Sequence, residues 1–176
     1  MTAFDQAFEI VIGHEGGYSN NSADPGGETK YGISARSYPN VNIGALTLDG
    51  AKAIYQRDYW SRSGCDLCDP GLALIVFDAA VNNGVGQAVR WLQAAVGVTA
   101  HGVIGPATKA AIAGTNAQEA LVALHAARIN MMAGLSTWAT FGRGWSRRLA
   151  QLPYQAASMT SNGTPVASST DQPPAG

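Results

Sequence analysis

The segment from Pro70 to Gly84 dictates what the rest of the chain must do. Leu72, Leu74, Ile75, Val76, Phe77, Ala80 and Val81 make it apolar on nearly every side, with a proline at its start and Asn83-Gly84 at its end. A helix of that composition has no face to show to water, so other elements must surround it. Their patterns are helical as well. Phe4, Ala7, Phe8, Val11 and Ile12 recur at helical spacing near the N-terminus. Thr47-Leu48-Asp49 opens a helix through Ile54, Tyr55 and Trp60, and Gly86 to Val96 forms another with Val89, Leu92 and Val96 inward. A turn over His101 to Pro106 precedes a short helix, with Pro106 in its first turn. Asn116 and Glu119 resemble a capping box ahead of a long helix through Leu121, Leu124, Arg128 and Met132. Gly142-Arg143-Gly144 is expected to break the chain into a last helix carrying Trp145, Arg147, Arg148 and Leu149. With no β-rich stretch and no internal repeat, the fold class is all-α.

At 176 residues, with 46% apolar and 13% charged side chains, the chain suits one domain with a real core. The pattern divides it into a lobe over 1–84, a second helical lobe over 85–155, and a Ser/Thr/Pro/Ala/Gly tail over 156–176 that is expected to be disordered. A net charge of −1 argues against nucleic acid as a partner. No apolar run is long enough to span a membrane. Met1-Thr2 leads directly into a helix carrying Asp5 and Glu9, so no signal peptide is expected. The two cysteines form one C-x-x-C at Cys65 and Cys68. Structural zinc needs four ligands, and only the scattered His14, His101 and His125 could add to them. No βαβ pattern surrounds the pair to suggest thioredoxin-like chemistry. It reads as two loop thiols, bridged if the protein works in an oxidising compartment.

Polar chemistry concentrates where the first helix ends, at the stop expected from Gly16-Gly17. Continued at 3.6 residues per turn, that helix would carry Glu15 to about 20° around the axis from Phe4, on the core side. Low-dielectric surroundings and the negative end of the helix dipole both raise a carboxyl pKa, as a general acid at neutral pH requires. The other reading is a solvated helix-end glutamate with Gly16 as its C-cap. Residues 16–33 then form a Gly/Pro-rich loop with room for a small hairpin, and Asp24-Pro25-Gly26-Gly27 suits a tight turn. A long polar loop in a compact domain usually has a task. Glu15, Asp24 and Thr29 together provide what glycosidic cleavage needs: an acid for the leaving oxygen, and groups to activate water or stabilise charge at the anomeric carbon. Asp24 suits ordinary turn chemistry equally well, and Thr29 a local backbone bond. Tyr18 and Tyr31 flank the loop, either as stacking surfaces for sugar rings or as lids on the core.

Glu15-Gly16-Gly17-Tyr18, followed by Asp24-Pro25-Gly26-Gly27-Glu28-Thr29-Lys30-Tyr31-Gly32-Ile33, resembles the N-terminal signature of glycoside hydrolase family 108. Tyr59-Trp60 and the run from Phe77 to Gly84 resemble its later blocks, so the likeness spans about residues 4–150. It implies a lysozyme-like helical fold with a Gly/Pro-rich active-site loop. It also implies N-acetylmuramidase activity on peptidoglycan, as in phage endolysins and bacterial secretion activators, by a monomer without a cofactor. Glu15 matches the family's catalytic acid. The spacing of Glu15, Asp24 and Thr29 is also similar to the Glu-Asp-Thr set of phage lysozymes, with the last interval one residue shorter. A carboxyl separation of about 6.5–9.5 Å would mean inversion, and about 5–5.5 Å retention. Such an enzyme, lacking a leader, would be made in the cytoplasm and reach the periplasm or wall through a separate pore or lysis protein. A lytic transglycosylase and a non-catalytic wall-binding or secretion-accessory protein are the alternatives.

The run Trp91 to Gly97 followed by His101 to Thr108 resembles the peptidoglycan-binding segment that follows the catalytic part in this family, with His101 in place of the usual aspartate. It either binds glycan or only completes the fold. Asp78 and Asn82 sit one turn apart on the apolar central helix and should face the same way. As buried polar groups they need partners, so they either line the cleft floor as substrate contacts or bond to the 16–33 loop. Arg143, Arg147 and Arg148 make a modest basic cluster that suits a solvated helix face or an anionic wall polymer.

Overall fold

The computed structural model describes residues 1–13, 17–19 and 27–160. Helix α1 (Ala3–Val11) begins with a reciprocal cap, in which the Thr2 hydroxyl accepts from the Asp5 N–H and the Asp5 carboxylate accepts from the Thr2 N–H. It stops early. The N–H groups of Ile12 and Gly13 both donate to the Phe8 carbonyl, and Gly13 lies at φ 67°, where glycine is at ease. A single glycine therefore ends the helix before the Gly16-Gly17 pair that the sequence reading chose. The extrapolation that put Glu15 on the core face of that helix does not apply, and Glu15 itself lies outside the described residues.

A hairpin of β1 (Thr29–Lys30) and β2 (Ile33–Ser34) follows, with Thr29 opposite Ser34 and Lys30 opposite Ile33. Its turn residues, Tyr31 and Gly32, both have positive φ, at 52° and 74°, as a type I′ turn requires. A Cβ on Gly32 would lie 2.6 Å from the Tyr55 hydroxyl, so only glycine lets the turn settle there.

Helix α2 (Leu48–Tyr55), capped by Thr47, continues as a π-helical stretch over Gln56–Ser61. A 3-10 turn at Cys65–Leu67 leads to α3 (Pro70–Asn83), whose N-terminus is capped by Asp69. Every residue from Gly71 to Ala80 is buried, as the composition of this segment demands. Helices α4 (Val85–Ala95), α5 (Pro106–Gly114), α6 (Ala117–Ala133) and α7 (Trp138–Thr160) complete the chain. Helix α3 packs against α1, α4, α6 and α7, and one continuous core runs from Phe4 to Met159. Phe4, Trp60 and Phe77 form its aromatic centre, in edge contacts with ring centroids 5.5–6.0 Å apart. Among the described residues no helix is long and apolar enough to cross a membrane.

Both cysteines are free. Cys65 is buried, with its Sγ 3.5 Å from the Ala73 carbonyl. Burial pushes both thiols up, Cys68 to about 12, so neither is primed as a nucleophile.

Helix α7 departs from expectation at both ends. Gly142 and Gly144 do not break it. The Trp138 indole lies across Gly142, where a Cβ would come within 2.8–2.9 Å of the ring, so glycine serves close packing here. The helix also continues past 156 with Ala156 and Met159 buried, because these residues complete the packing on α3. The compositional tail therefore begins later than 156, and residues 161–176 lie outside the described residues.

Pro153 sits inside α7 and has no N–H for the Leu149 carbonyl four residues back. His125 of α6 supplies the donor, its Nε2 lying 2.8 Å from that oxygen. Since a carbonyl only accepts, Nε2 carries the proton, which leaves the buried Nδ1 as an unprotonated acceptor with no partner among the described residues. Burial lowers the pKa of His125 below its usual 6.5, ahead of the opposing Leu149 bond. The folded state therefore holds this ring neutral. Between the unfolded value and the lower folded one, the unfolded chain takes up a proton that the folded chain does not. Thermal stability should accordingly fall as pH drops below about 6.5, and level off once the folded histidine titrates. In His125→Gln, which keeps a donor but cannot titrate, the melting temperature should lose this component. Parallel curves for the two proteins between pH 7.5 and 5 would show that the ring is not the titrating group.

Candidate functional site

Of the seven residues singled out in the sequence, Glu15 and Asp24 lie outside the described residues. The other five occupy two places. Thr29, Tyr31 and Tyr18 belong to the hairpin region, where Ser19 pairs with Thr29 through two backbone bonds of 2.8 and 2.9 Å. Both ends of the 20–28 segment are therefore held side by side. The Thr29 hydroxyl, half-buried, donates to the Gly27 carbonyl at 3.2 Å, the local backbone bond that was one of its two readings. Tyr18 is exposed. Tyr31 packs partly against the core, and its carbonyl accepts from the Tyr55 hydroxyl at 3.1 Å.

Asp78 and Asn82 are elsewhere, on α3. Asp78 is fully buried, at the floor of a recess of about 240 Å³ that it shares with Ile10, Arg147 and Arg148. Arg128 of α6 donates to its Oδ2 at 2.5 Å. Arg148 of α7 donates to its Oδ1 through both Nε, at 2.9 Å, and Nη2. The reason is electrostatic: a carboxylate this deep in an apolar helix is tolerable only when its lone pairs are met by cations. Asn82 turns its amide back onto the Asp78 carbonyl at 2.8 Å. The neighbouring Asn83 accepts from Arg128 Nε at 2.9 Å. With Arg128, Trp145 and Arg148, the two asparagines line a recess of about 190 Å³.

Arg148 was read as part of a solvated basic face, but it reaches further. Its Nη2 also lies 3.4 Å from the Val11 carbonyl, in the last turn of α1. A cation at a helix C-terminus is favourable, and this one ties the exit of α1 to α7. The sequence did carry a signal for the cluster: Asp78 and Arg128 each interrupt an otherwise apolar helical stripe, and unlike charges in two buried stripes call for each other.

The turn at 101–106 is held by fully buried Gln93. Its Nε2 donates to the Val103 carbonyl at 2.9 Å and the Thr108 hydroxyl at 3.0 Å, and its Oε1 accepts from the Gly102 N–H at 2.8 Å. These contacts account for the segment through packing. A second concavity went unread in the sequence. It holds about 510 Å³ and lies between the 34–38 turn, the π-helical stretch and the start of α4, with Tyr38, Asp58, Tyr59 and Arg62 on its walls. No group of three or more His, Cys, Asp or Glu among the described residues is placed to hold a metal ion.

The glycosyl hydrolase 108 family model matches residues 8–84. The solved structure of SagA from Brucella abortus is similar over nearly the whole length, with 33% sequence identity and a TM-score of 0.78, covering 91% of this chain and 97% of that one. No curated protein matches.

Removing the carboxylate while leaving the fully buried Arg128 in place should expose the worth of the cluster. Asp78→Ala is expected to lose about 3–5 kcal/mol of unfolding free energy in urea titrations. A loss below about 1 kcal/mol would mean that the ion cluster does not hold the fold together.

Proposed function

Because the chain belongs to the glycosyl hydrolase 108 family, we propose that it is a peptidoglycan hydrolase of the N-acetylmuramidase type. It cleaves the β-1,4 bond between N-acetylmuramic acid and N-acetylglucosamine and serves as an endolysin in host lysis. The family match over 8–84 carries this reading, since that span includes Glu15, Asp24 and Thr29 together. Glu15 gives its proton to the bridging oxygen as the bond to C1 breaks, and water adds to C1 with Asp24 and Thr29 on its side. Tyr18, Tyr31 and Asn82 contact the glycan.

Two features of the geometry support this assignment. Arg148 holds the last turn of α1, from which the segment carrying Glu15 departs. The Ser19–Thr29 pairing closes the base of the segment that carries Asp24. Residues 85–155 complete the lysozyme-like core instead of forming a separate wall-binding module. The packing of α4, α6 and α7 on α3 supports that view.

The test is Glu15→Gln. Loss of turbidity in purified cell walls should slow by about 10²–10⁴-fold, the usual worth of a general acid, while circular dichroism and melting temperature stay unchanged. Full activity in this variant would refute the assignment. Muropeptides released by the parent protein should carry reducing ends; anhydro ends would make it a lytic transglycosylase.

A further inference from the structure

The groove of about 510 Å³ is roomier than the recess at the two asparagines, and nothing in the proposed chemistry yet uses it. Pockets of roughly 300–1,000 Å³ are the normal size for small-molecule sites, so it has space for a substituted sugar. Two half-buried tyrosines form its walls, and both are held in place. Tyr38 donates its hydroxyl to Asp58 Oδ2 at 3.0 Å, and burial, with Asp58 and Tyr59 beside it, keeps that phenol protonated. Tyr59 packs on Tyr55 with ring centroids 5.2 Å apart. Rigid aromatic faces bind without much ordering on association. Tyr55 in turn carries the hairpin turn on its hydroxyl, so the groove adjoins the hairpin region.

The charges are uneven. Asp58 is ionised, its pKa lowered first by Arg57, which grips it through Nε and Nη2 at 2.8 and 2.7 Å. That pair cancels. Arg62 remains, exposed at the groove; it acts on Asp58 through space, but among the described residues no carboxylate lies within ion-pair distance of it. The π-helical stretch is what brings Asp58 and Tyr59 to this wall, with Arg62 directly after it. Such stretches are rare and are frequently found at functional sites.

We propose that this groove is a saccharide subsite and that Arg62 selects the acid-bearing sugar of the wall by pairing with the lactyl carboxylate of N-acetylmuramic acid. The tyrosine walls take the sugar ring, and Arg62 distinguishes it from neutral N-acetylglucosamine. The proposal rests on peptidoglycan being the substrate. It does not depend on which residue donates the proton.

The experiment measures binding in the Glu15→Gln background by calorimetry. The ligands are soluble glycan strands freed of stem peptides, either native or with the lactyl carboxyl reduced to an alcohol. Reduction should weaken binding about tenfold when Arg62 is present, the low end of what a charge-assisted bond is worth, and should have no effect in Arg62→Gln. The difference should shrink as salt rises. Gly86→Leu provides an independent check. A Cβ there meets only Arg90, at an ordinary 3.6 Å, so the added side chain is accommodated and fills the groove, and it should weaken both ligands. An equal loss from carboxyl reduction with and without Arg62 overturns the proposal, and so does unchanged binding in Gly86→Leu. Carboxylate-dependent binding by a parent protein that cleaves nothing would support the subsite while refuting the catalytic assignment.

Discussion

A carboxylate at the centre of the molecule is the constraint around which the helices are arranged. Asp78 is fully buried on a helix that is otherwise apolar, and an ion there is tolerable only if its oxygens are met by cations. The two cations come from different helices, Arg128 from α6 and Arg148 from α7, and each takes one oxygen. Each arginine then makes a second bond, Arg128 to Asn83 at the end of α3 and Arg148 to the Val11 carbonyl at the end of α1. Hydrophobic packing would let these helices slide by small amounts at little cost, since apolar contact has no direction. Guanidinium-to-carboxylate bonds do have direction. The cluster thus converts a greasy bundle into one with a defined relation between α1, α3, α6 and α7.

That relation matters because α1 ends beside the segment on which catalysis is proposed to depend. A second junction serves the other side of the same region. The Tyr55 ring stands between Phe8 of α1 and Phe77 of α3, while its hydroxyl supports the Tyr31 carbonyl. One residue therefore links the core, the first helix and the hairpin turn, and its neighbour Tyr59 faces the polar groove. The hairpin is too short to be stable by its own ladder. It owes its position to this hydroxyl and to the absence of a side chain at Gly32.

Much of this was legible in the residues and some was not, for identifiable reasons. The seven helices among the described residues follow from apolar spacing and terminal residues: Thr47 and Asn116 cap where their side chains said they would, and Pro70 opens α3. The α1 terminus was misplaced because two adjacent glycines look like a stronger stop than one, although Gly13 was reached first. The continuity of α7 was missed because Gly142 has a tertiary purpose, receiving the Trp138 ring, which no local pattern reveals. Pro153 in the same helix is tolerated because His125, 24 residues before Leu149 in the chain, arrives to satisfy its carbonyl. Asp78 was legible as a buried polar group in need of partners, but the arginines that meet it were not. Its placement on a buried stripe was readable, whereas choosing among the arginines required knowing how α6 and α7 cross α3. The groove at Tyr38 and Asp58 depends on a π-helical register that helical periodicity cannot anticipate.

The distribution of carboxylates narrows where proton transfer can occur. A general acid needs its proton near neutral pH, so its surroundings must disfavour the charge. The described carboxylates with clear environments are set the opposite way. Asp5 is drawn down to about 2, chiefly by the Thr2 hydroxyl, and Asp58 is lowered by Arg57. Asp78 commits both oxygens to guanidinium groups. Asp5 and Asp58 are thereby stabilised in the form that cannot donate, and Asp78 has its oxygens occupied. The acid proposed above is a carboxyl outside these networks. The segment following Gly13 is where the family signature supplies one, on a stretch of chain whose two flanks are anchored by Arg148 at Val11 and by the Ser19–Thr29 pair.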